Sequence, residues 1–399
     1  MIRTSDRIAQ LPGYPLAEIP TIKRRLLEQG VDVIDLGAGD SDYPPPAPVI
    51  DALKEAMGDL RYHKYGFQQG LPEFRKACSA FVEQRFGQQF DPMTEILPLI
   101  GSKEGLSHIP LAVCNPGEVV LVPEPGYQAY IGGALLSLAE PVICGLRPET
   151  DFLLDWDRIP ASVLDRTQVA YLNYPNNPTA AIAPMEYLEK SVAICRKHGI
   201  LLAYDNAYVD LTFDGYVAPS IFQIPGARDV AVEFLSLSKS YAMTGWRLGY
   251  AVGNPKLIYA LTRVKSYVDT GPFLAIQKAG CVALERSEEF VAPIRAELQR
   301  RRDAGVAALH EIGLEVETPK ASMYLWVPLP AGIKSQPFAR RAMEQTGTIV
   351  LPGAGFGPAG EGFFRIALTA GAERLADGVR RLGEAIAREL RETVAASSG

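Results

Sequence analysis

Histidine and cysteine are scarce in this chain, and neither is arranged for a metal site or a disulfide framework. The 399 residues include four scattered histidines and five cysteines, none of which form a C-x-x-C pair. An odd number of dispersed cysteines argues against a disulfide framework and favours a reducing compartment. We therefore predict no metal site and no disulfide bonds. The cysteines are Cys78, Cys114, Cys144, Cys195 and Cys281.

The sequence also lacks a long apolar run and an excess of positive charge. Its most apolar window, residues 129–146, is interrupted by Glu140 and Pro141 and is too short to span a bilayer. The first ten residues are polar and charged, unlike a signal peptide. The formal net charge of −6 gives no electrostatic reason to expect nucleic acid or an anionic membrane as a partner. We expect a soluble cytoplasmic protein.

What the chain does contain is a repeated alternation of strands and helices. Apolar runs are separated by helical patterns, the clearest of which covers residues 185–198 and ends at Gly199. This alternation predicts an α/β fold with a mostly parallel sheet covered by helices. The strand-like runs are 119–122, 169–172, 200–204, 230–237 and 248–252, and further helices are predicted at 46–58, 72–86 and 102–114.

The length and a change of pattern near residue 284 predict two lobes. Beyond that point a long charged helix, two short strands and a final helix are typical of a smaller α+β lobe. We predict an arm with a first strand at 1–45 that packs with the small lobe. The large lobe then covers 46–284 and the small lobe 285–399.

The segment 236–247 follows a strand-like run and carries the most informative chemistry. Lys239 lies in a turn between serines, and partial burial of a lysine favours the neutral amine that attacks a carbonyl. Arg247, Ser236 and Ser238 supply donors suited to a phosphate monoester. An amine beside a phosphate clamp indicates pyridoxal 5′-phosphate held as a Schiff base on Lys239. Taken alone, the segment is equally consistent with a surface lysine and arginine beside a turn.

Other strand ends supply a candidate for each remaining role in pyridoxal chemistry. Asp205 can pair with the pyridine nitrogen, while Tyr208 and Asn177 can bond the phenolic oxygen. Tyr127 can stack on the ring, and Ser102 at a helix start can join the phosphate clamp. The predicted catalytic residues are Lys239, Asp205 and Tyr208; Lys103 is predicted beside the cofactor, and Arg365 is predicted to bind the substrate α-carboxylate.

Each of these residues also has a purely structural explanation. Asp205 can cap a helix, Tyr127 can be a core aromatic residue, and Arg365 can be a surface cation. Ser102 can be a plain N-cap with Lys103 in solvent, which is the favoured interpretation of that turn taken alone. Their joint occurrence in one α/β chain, in a workable order, favours the cofactor site.

Four motifs together resemble the class I and II aminotransferases, which are fold-type I pyridoxal-phosphate enzymes, along essentially the whole chain. They are Tyr174-Pro-Asn-Asn-Pro-Thr179, Asp205-x-x-Tyr208, Ser236-x-Ser-Lys239 with Thr244-Gly-Trp-Arg247, and Phe363-Phe-Arg365-Ile-Ala-Leu368. Within that group, the segments 11–18, 101–105 and 324–327 resemble the LL-diaminopimelate aminotransferases and their glutamate–pyruvate relatives.

The resemblance implies a homodimer in which Tyr65 of one subunit reaches the phosphate of the other. It also implies that Gly39 lines the substrate site and that Tyr14 of the arm contacts substrate, together with Lys103 and Asn177. The chain departs from the family at Ala180, where glycine is usual, and in segment 39–42, which lacks the usual proline. Neither departure touches the chemistry, although Ala180 restricts the backbone.

The leading hypothesis is therefore an aminotransferase that moves the amino group of an L-amino acid to a 2-oxo acid. The same lysine and electron sink also serve β-elimination, racemisation and decarboxylation, so a pyridoxal-phosphate lyase or related enzyme is an alternative. A ligand-sensing regulator is a third, and it would need a DNA-binding segment that the chain does not show before its arm.

Lys103 and the loop 65–70 bear on the substrate. In the diaminopimelate relatives a lysine at this place lies near the distal end of the substrate, and a cation there suits a distal carboxylate. We therefore expect glutamate and 2-oxoglutarate as one amino-group pair. The distal ammonium of LL-diaminopimelate calls for an anionic partner, whereas the loop offers only Gln68 and Gln69. Diaminopimelate and a neutral donor such as alanine both remain candidates.

Overall fold

A computed structural model describes residues 2–13, 18–67 and 69–397 of the chain. Within these residues there are twelve strands, and all five strand-like runs predicted from the sequence are confirmed. The strands are β1 (Ile34–Asp35), β2 (Ile96–Leu99), β3 (Val119–Glu124), β4 (Glu140–Gly145), β5 (Thr167–Asn173), β6 (Leu201–Asp205), β7 (Ala231–Ser236), β8 (Gly249–Gly253), β9 (Tyr324–Pro328), β10 (Thr348–Ile349), β11 (Leu351–Pro352) and β12 (Phe363–Ala367).

Fifteen α-helices cover the sheets in the described residues, and those predicted at 72–86 and 185–198 have the predicted bounds. The helices are α1 (Asp6–Gln10), α2 (Ile19–Glu28), α3 (Ala47–Met57), α4 (Pro72–Phe86), α5 (Ser102–Val113), α6 (Gln128–Leu136), α7 (Ala161–Leu164), α8 (Met185–His198), α9 (Ala227–Val230), α10 (Leu237–Ser240), α11 (Pro255–Val268), α12 (Leu274–Glu285), α13 (Ser287–Glu311), α14 (Ser335–Thr346) and α15 (Ala372–Ser397). None of these described helices is both long and apolar enough to cross a membrane.

The large sheet has seven strands in the order β2-β8-β7-β6-β5-β3-β4. Its neighbours are parallel except at β8, which runs antiparallel to both β2 and β7. The apolar side chains of the inner strands are buried on both faces of the sheet, as expected for a parallel sheet between helical layers. The register pairs Asn173 with Asp205, and Asp205 with Phe234. The carboxyl ends of β5, β6 and β7 therefore lie side by side.

Two strands of the large sheet were not predicted. The edge strand β4 lies in the window interrupted by Glu140 and Pro141, and it pairs only with β3 among the described residues. Proline is tolerated at a sheet edge because an edge strand does not need every backbone donor. The second, β2, is a short run of four residues that contains Pro98 and pairs with β8.

A smaller antiparallel sheet has the order β11-β12-β9, and the long helices α13 and α15 pack against each other beside it. The first strand, β1, pairs in parallel with β10, so the N-terminal segment joins the C-terminal part of the chain. The packing of the whole arm, residues 1–45, with the small lobe stays a prediction. The three-way division at residues 45 and 284 stays a prediction.

Candidate active site

Lys239 lies immediately beyond the carboxyl end of β7, in the short helix α10. The Ser236 hydroxyl accepts a hydrogen bond from the Ser238 amide at 3.2 Å, which fixes the turn that presents the lysine. The half-buried Lys239 donates from Nζ to the carbonyl oxygen of Gly39 at 2.5 Å. The amine is therefore held at the strand ends by a backbone loop 200 residues away in the sequence.

Asp205 is the last residue of β6 and is 95% buried, with an exposed fraction of 5%. Its Oδ2 accepts a hydrogen bond from the Tyr130 hydroxyl at 2.7 Å, whereas Oδ1 has no partner among the described residues. Burial raises the pKa of Asp205 to about 6, although the bond from Tyr130 opposes this rise. A buried carboxylate oxygen without a partner is costly unless a bound group satisfies it.

An anion cradle is formed where α5 begins beside Arg247. Gly101 has φ of 70°, and a Cβ at this position would lie 2.4 Å from an Arg247 guanidinium nitrogen. Arg247 donates to the Thr244 carbonyl at 2.8 Å and lies 3.5 Å from the Ser238 hydroxyl. A Cβ at Gly249, which pairs with Ser236, would lie 2.8 Å from the Ser102 amide nitrogen. The start of this 12-residue helix, its free N–H groups and the guanidinium together suit a phosphate.

Tyr127 and Lys103 lie next to each other at the start of α6 and α5. The ammonium of exposed Lys103 is 5.6 Å from the Tyr127 ring centroid, within cation–π range. The Tyr127 ring meets Tyr130 edge-on at 5.9 Å, and Tyr130 in turn stacks on Tyr171 at 4.6 Å. An aromatic layer therefore connects the predicted ring-stacking residue to Asp205.

Arg365 reaches the same place from β12 of the smaller sheet and is 95% buried, with an exposed fraction of 5%. It donates to Asn177 Oδ1 and to the Gly37 carbonyl, both at 2.8 Å, and its Nε has no partner in the described part of the chain. Because the Asn177 amide oxygen faces Arg365, the NH₂ group of Asn177 points away from Arg365 and can donate to another group. The guanidinium also lies 3.9 Å from the centroid of the Tyr324 ring.

Tyr208 is buried, and its hydroxyl lies 3.2 Å from that of Tyr324. Two predicted site residues are not placed with this group. Tyr65 is 71% exposed, and its ring lies 6.0 Å from that of Phe67, while Tyr14 falls outside the described residues. The remaining predicted residues occupy the strand ends, the start of α5 and the facing segment of the smaller sheet.

Similarity to known proteins identifies the family of this chain. The family model for aminotransferase class I and II matches residues 31–382. The chain belongs to this family. As a member it is a pyridoxal-phosphate-dependent aminotransferase, so the predicted family and cofactor are both confirmed.

Curated relatives resemble this aminotransferase over nearly its full length. It is 45% identical over 382 residues to the LL-diaminopimelate aminotransferase of Aquifex aeolicus, covering 96% of this chain and 99% of the relative. It is 43% identical over 383 residues to the enzyme of the same name from Nitratidesulfovibrio vulgaris, with coverage of 96% and 99%.

Solved structures confirm the predicted fold class. Substrate-bound BacF from Bacillus subtilis superposes with a TM-score of 0.92 at 32% identity, covering 96% of this chain and 98% of that chain. A probable N-succinyldiaminopimelate aminotransferase from Thermus thermophilus gives a TM-score of 0.89 at 38% identity, with coverage of 93% and 100%. The aminotransferase is thus a fold-type I α/β protein.

The residues of this aminotransferase fit pyridoxal phosphate. The unpartnered Oδ1 of Asp205 suits a protonated ring nitrogen, and the cradle at Gly101 and Arg247 suits the phosphate. In the sequence, Lys239 lies between Asp205, which ends β6, and Arg247. It follows β7, the strand next to β6. The described residues therefore offer partners for the ring nitrogen and for the phosphate.

Sequence reasoning missed three residues that shape the site. Tyr130 bonds Asp205, Tyr324 bonds Tyr208, and Asn173 donates to the Asp205 carbonyl at 2.8 Å. Tyr130 lies one helical turn after Tyr127, and Asn173 immediately precedes a recognised motif, so both positions carried a signal. Tyr324 belongs to a segment that was noted only for its resemblance, and nothing local connects it with Tyr208.

The departure from the family at Ala180 has a visible consequence. Ala180 is buried and adopts φ of 60°, the left-handed region that favours glycine. A side chain there costs roughly 1–2 kcal/mol in this conformation.

One cluster of possible metal ligands occurs in the described residues, although the sequence predicted none. Ligand atoms of Glu104, His108 and Asp269 all lie within 4.8 Å of one another. Fully buried Lys265 donates to both Glu104 oxygens at 2.7 Å and to Asp269 at 3.0 Å. One ammonium therefore already pairs with both carboxylates, and the cluster is a buried ion-pair network.

Proposed function

We propose that this aminotransferase transfers the amino group of a dicarboxylic amino acid to 2-oxoglutarate, which becomes glutamate. LL-diaminopimelate is the leading candidate for the donor. The observations that carry this proposal are two cations that each contact a predicted site residue: Arg365 donates to Asn177 Oδ1, and the Lys103 ammonium lies 5.6 Å from the Tyr127 ring centroid. Arg365 comes from the smaller sheet, and Lys103 comes from the first turn of α5. Two cations suit a substrate with two carboxylates, and the curated relatives at 43–45% identity are named for LL-diaminopimelate.

The cofactor, when bound, supplies an electron sink that makes the proton on the substrate α-carbon acidic. Asp205 would offer Oδ1 to the ring nitrogen, and removing this buried carboxylate would leave a cation there without its partner. The Asn177 NH₂ group and the Tyr208 hydroxyl are the donors for the phenolic oxygen. Ser102, Ser236, Ser238 and Arg247 hold the phosphate through the cradle beside Gly101.

Lys239 has two roles in the proposal. Its amine would hold the cofactor, and as a free amine its Nζ would take up and return the proton of the substrate α-carbon as a general base and acid. Its bond to the Gly39 carbonyl places the amine under the 37–43 loop, which also contacts Arg365 through Gly37. One loop therefore contacts both the reacting amine and the carboxylate-binding guanidinium.

A donor without a distal ammonium is the second candidate. The loop 65–70 carries only neutral amides where diaminopimelate enzymes are expected to have a glutamate, and an amide accepts less strongly from an ammonium. Alanine lacks this group, and an N-acylated diaminopimelate has an uncharged amide in its place. A solved structure at 38% identity is described as a probable N-succinyldiaminopimelate aminotransferase.

A donor panel decides between these substrates. We expect glutamate to transfer its amino group, and kcat/KM with 2-oxoglutarate is then measured for LL-diaminopimelate, N-succinyl-LL-diaminopimelate and alanine. An advantage of about a hundredfold for LL-diaminopimelate over both others, roughly 2.7 kcal/mol, establishes it as the donor. A lead for either of the others establishes the second candidate, and no transfer from glutamate overturns the proposal.

Substitutions in the loop 65–70 test directly whether the donor carries a distal ammonium. Gln68→Glu and Gln69→Glu each add a carboxylate of nearly the same size as the amide. If the loop faces the distal ammonium, one of them raises kcat/KM for LL-diaminopimelate about tenfold, roughly 1.4 kcal/mol, without raising that for alanine. Glu83→Gln, at an exposed position of α4, is the matched control for a charge change outside the site.

We also propose that the active unit is a homodimer in which Tyr65 completes the phosphate site of the partner. Tyr65 and Phe67 expose 71% and 69% of their surface, which is unusual for neighbouring aromatic residues and is explained if another subunit covers them. Mixing Lys239→Ala subunits with Tyr65→Phe subunits then rebuilds one intact site per heterodimer. Activity no higher than that of either parent would show that each site comes from one chain.

A further inference from the structure

Tyr324 lies where the predicted functional groups of the two sheets meet. Its hydroxyl is 3.2 Å from that of Tyr208, and its ring centroid is 3.9 Å from the guanidinium carbon of Arg365. A Cβ at Gly39 would lie 2.5 Å from the Tyr324 oxygen, so the loop whose carbonyl binds Lys239 packs directly on this hydroxyl. With an exposed fraction of 3%, Tyr324 is enclosed among these groups.

The charges around this hydroxyl decide which member of the tyrosine pair donates. Burial raises the pKa of Tyr324, but the cations Arg365 and Lys239 and the bond with Tyr208 outweigh burial and the opposing charge of Asp40, so its pKa lies below the ordinary value. Burial and the neighbouring Tyr324 raise the pKa of Tyr208. The Arg365 guanidinium, 3.9 Å from the centroid of its ring, makes the Tyr324 hydroxyl the better donor, which favours a bond from Tyr324 to Tyr208 over the reverse.

A hydroxyl has one proton, and this fixes the direction of the next bond. When Tyr208 accepts from Tyr324, its own proton is free for another acceptor, and a chain of hydroxyls strengthens each bond along it. We propose that Tyr324 is a positioning residue that directs the Tyr208 proton toward the phenolic oxygen of the cofactor and strengthens that bond. This inference rests on the proposed role of Tyr208.

The consequence is measurable on the bound cofactor. A stronger bond from Tyr208 withdraws negative charge from the phenolic oxygen, so the nitrogen shared by Lys239 and the cofactor holds its proton less tightly. Tyr324→Phe removes the hydroxyl but keeps the ring over Arg365. It should therefore raise the apparent pKa of the visible absorption of the holoenzyme by about 0.5 to 1 unit, the size of a net hydrogen-bond contribution.

The test is a cycle of Tyr324→Phe, Tyr208→Phe and the double variant, each titrated spectrophotometrically as holoenzyme. We expect Tyr208→Phe to give the larger rise and the double variant to match it, because Tyr324 acts through Tyr208. Tyr187→Phe is the control: it removes a partly buried hydroxyl that donates to the Leu154 carbonyl at 3.0 Å and should leave the titration unchanged.

The outcomes separate this inference from the proposed function. No pH-dependent visible absorption in the wild-type holoenzyme would overturn the proposed cofactor roles themselves. A normal wild-type titration with no change in Tyr324→Phe would overturn only the positioning role. A change of equal size in the Tyr208→Phe background, or a fall in the apparent pKa, would show that Tyr324 acts directly on Lys239 and would likewise overturn it.

Discussion

Two regions of this aminotransferase meet at the candidate site and are built differently. The strand-end region comprises the carboxyl ends of β5, β6 and β7, with Lys239 just beyond them, and its register is set by the ladder of a parallel sheet. The closing region comprises the loop 37–43, Tyr324 and Arg365. It is held by side chains that reach backbone carbonyls up to 328 residues away in the sequence.

The difference indicates that the two regions have different functions. A buried parallel sheet has no freedom to shift, so the strand-end region offers fixed groups for the cofactor. The closing region depends on a few hydrogen bonds, from Arg365 to Gly37 and from Lys239 to Gly39, and such segments open at lower free energy than a core. We therefore expect substitutions in the first region to change chemistry or stability, and those in the second to change substrate binding.

The largest expected effect is on the strand-end region. Lys239→Ala should reduce transamination by about 10⁴-fold or more, because the covalent link and the proton carrier are both lost. The phosphate cradle remains, so the variant should still bind cofactor. Borohydride should fix the cofactor to Lys239 in the wild type and leave the variant unlabelled by peptide mass spectrometry.

Lys190→Ala is the control for this experiment, because Lys190 is an exposed lysine paired with Asp157 at 2.7 Å. It should keep full activity. Activity of Lys239→Ala within tenfold of the wild type would contradict both the assignment of Lys239 and the comparison between the regions.

The second effect belongs to the closing region. Arg365→Lys keeps the charge but loses the fork that binds a carboxylate through two bonds. It should raise KM for amino and 2-oxo acids by about a hundredfold, roughly 2.7 kcal/mol, with a smaller change in kcat. Arg380→Lys, an exposed arginine paired with Glu311, should leave both constants unchanged. A fall in kcat at unchanged KM would assign Arg365 to the chemistry instead.

The residues of the strand-end region could be predicted from the sequence better than the contacts of the closing region. Asp205, Tyr208, Lys239 and Arg247 could be predicted because each belongs to a short motif after a strand, where neighbouring residues carry the signal. Arg365 is a predicted carboxylate ligand, but its contacts with Gly37 and Asn177 join residues 328 and 188 positions apart. Pairings of that kind depend on packing between distant elements, which local patterns do not encode. The Tyr208–Tyr324 bond was missed for the same reason.

A third substitution tests whether a buried carboxyl group of the strand-end region contributes to stability without affecting substrate binding. Glu233 is fully buried in β7 and accepts bonds from the Asn206 amide at 2.7 Å and from the Ser220 hydroxyl. Burial raises its pKa to about 7, against the opposing bonds from Ser220 and Asn206. A raised carboxyl pKa gives stability that is complete below the unfolded value and is lost as the pH rises through about 7.

Glu233→Gln should remove this pH dependence. Between pH 4.5 and 8 the wild type should lose up to about 3 kcal/mol of unfolding free energy from this group, and the variant should not. Urea unfolding of both proteins at pH 5 and pH 8 measures the difference, while KM stays unchanged. Parallel pH profiles for the two proteins would mean that Glu233 is ionised in the folded state.

The smallest effect concerns how the closing loop is held. Where the family usually has proline, this chain has segment 39–42, and Asp42 forms a two-pronged pair with buried Arg301 at 2.8 and 3.0 Å. Arg301 also donates to the Leu368 carbonyl at 3.0 Å, which ties the loop to the smaller sheet. The ion pair thus supplies a constraint that a proline ring would otherwise give to the backbone.

Asp42→Asn keeps the size of the side chain and removes its charge, so the loop should lose part of its anchor. We expect about a tenfold rise in KM for both substrates, roughly 1.4 kcal/mol, with little change in kcat or in urea unfolding. Asp51→Asn is the matched control, because Asp51 forms an exposed pair with Lys54 at 3.1 Å. If Asp42→Asn lowered unfolding stability while KM stayed constant, Asp42 would belong to the fixed frame, and the loop would not be the movable part of the site.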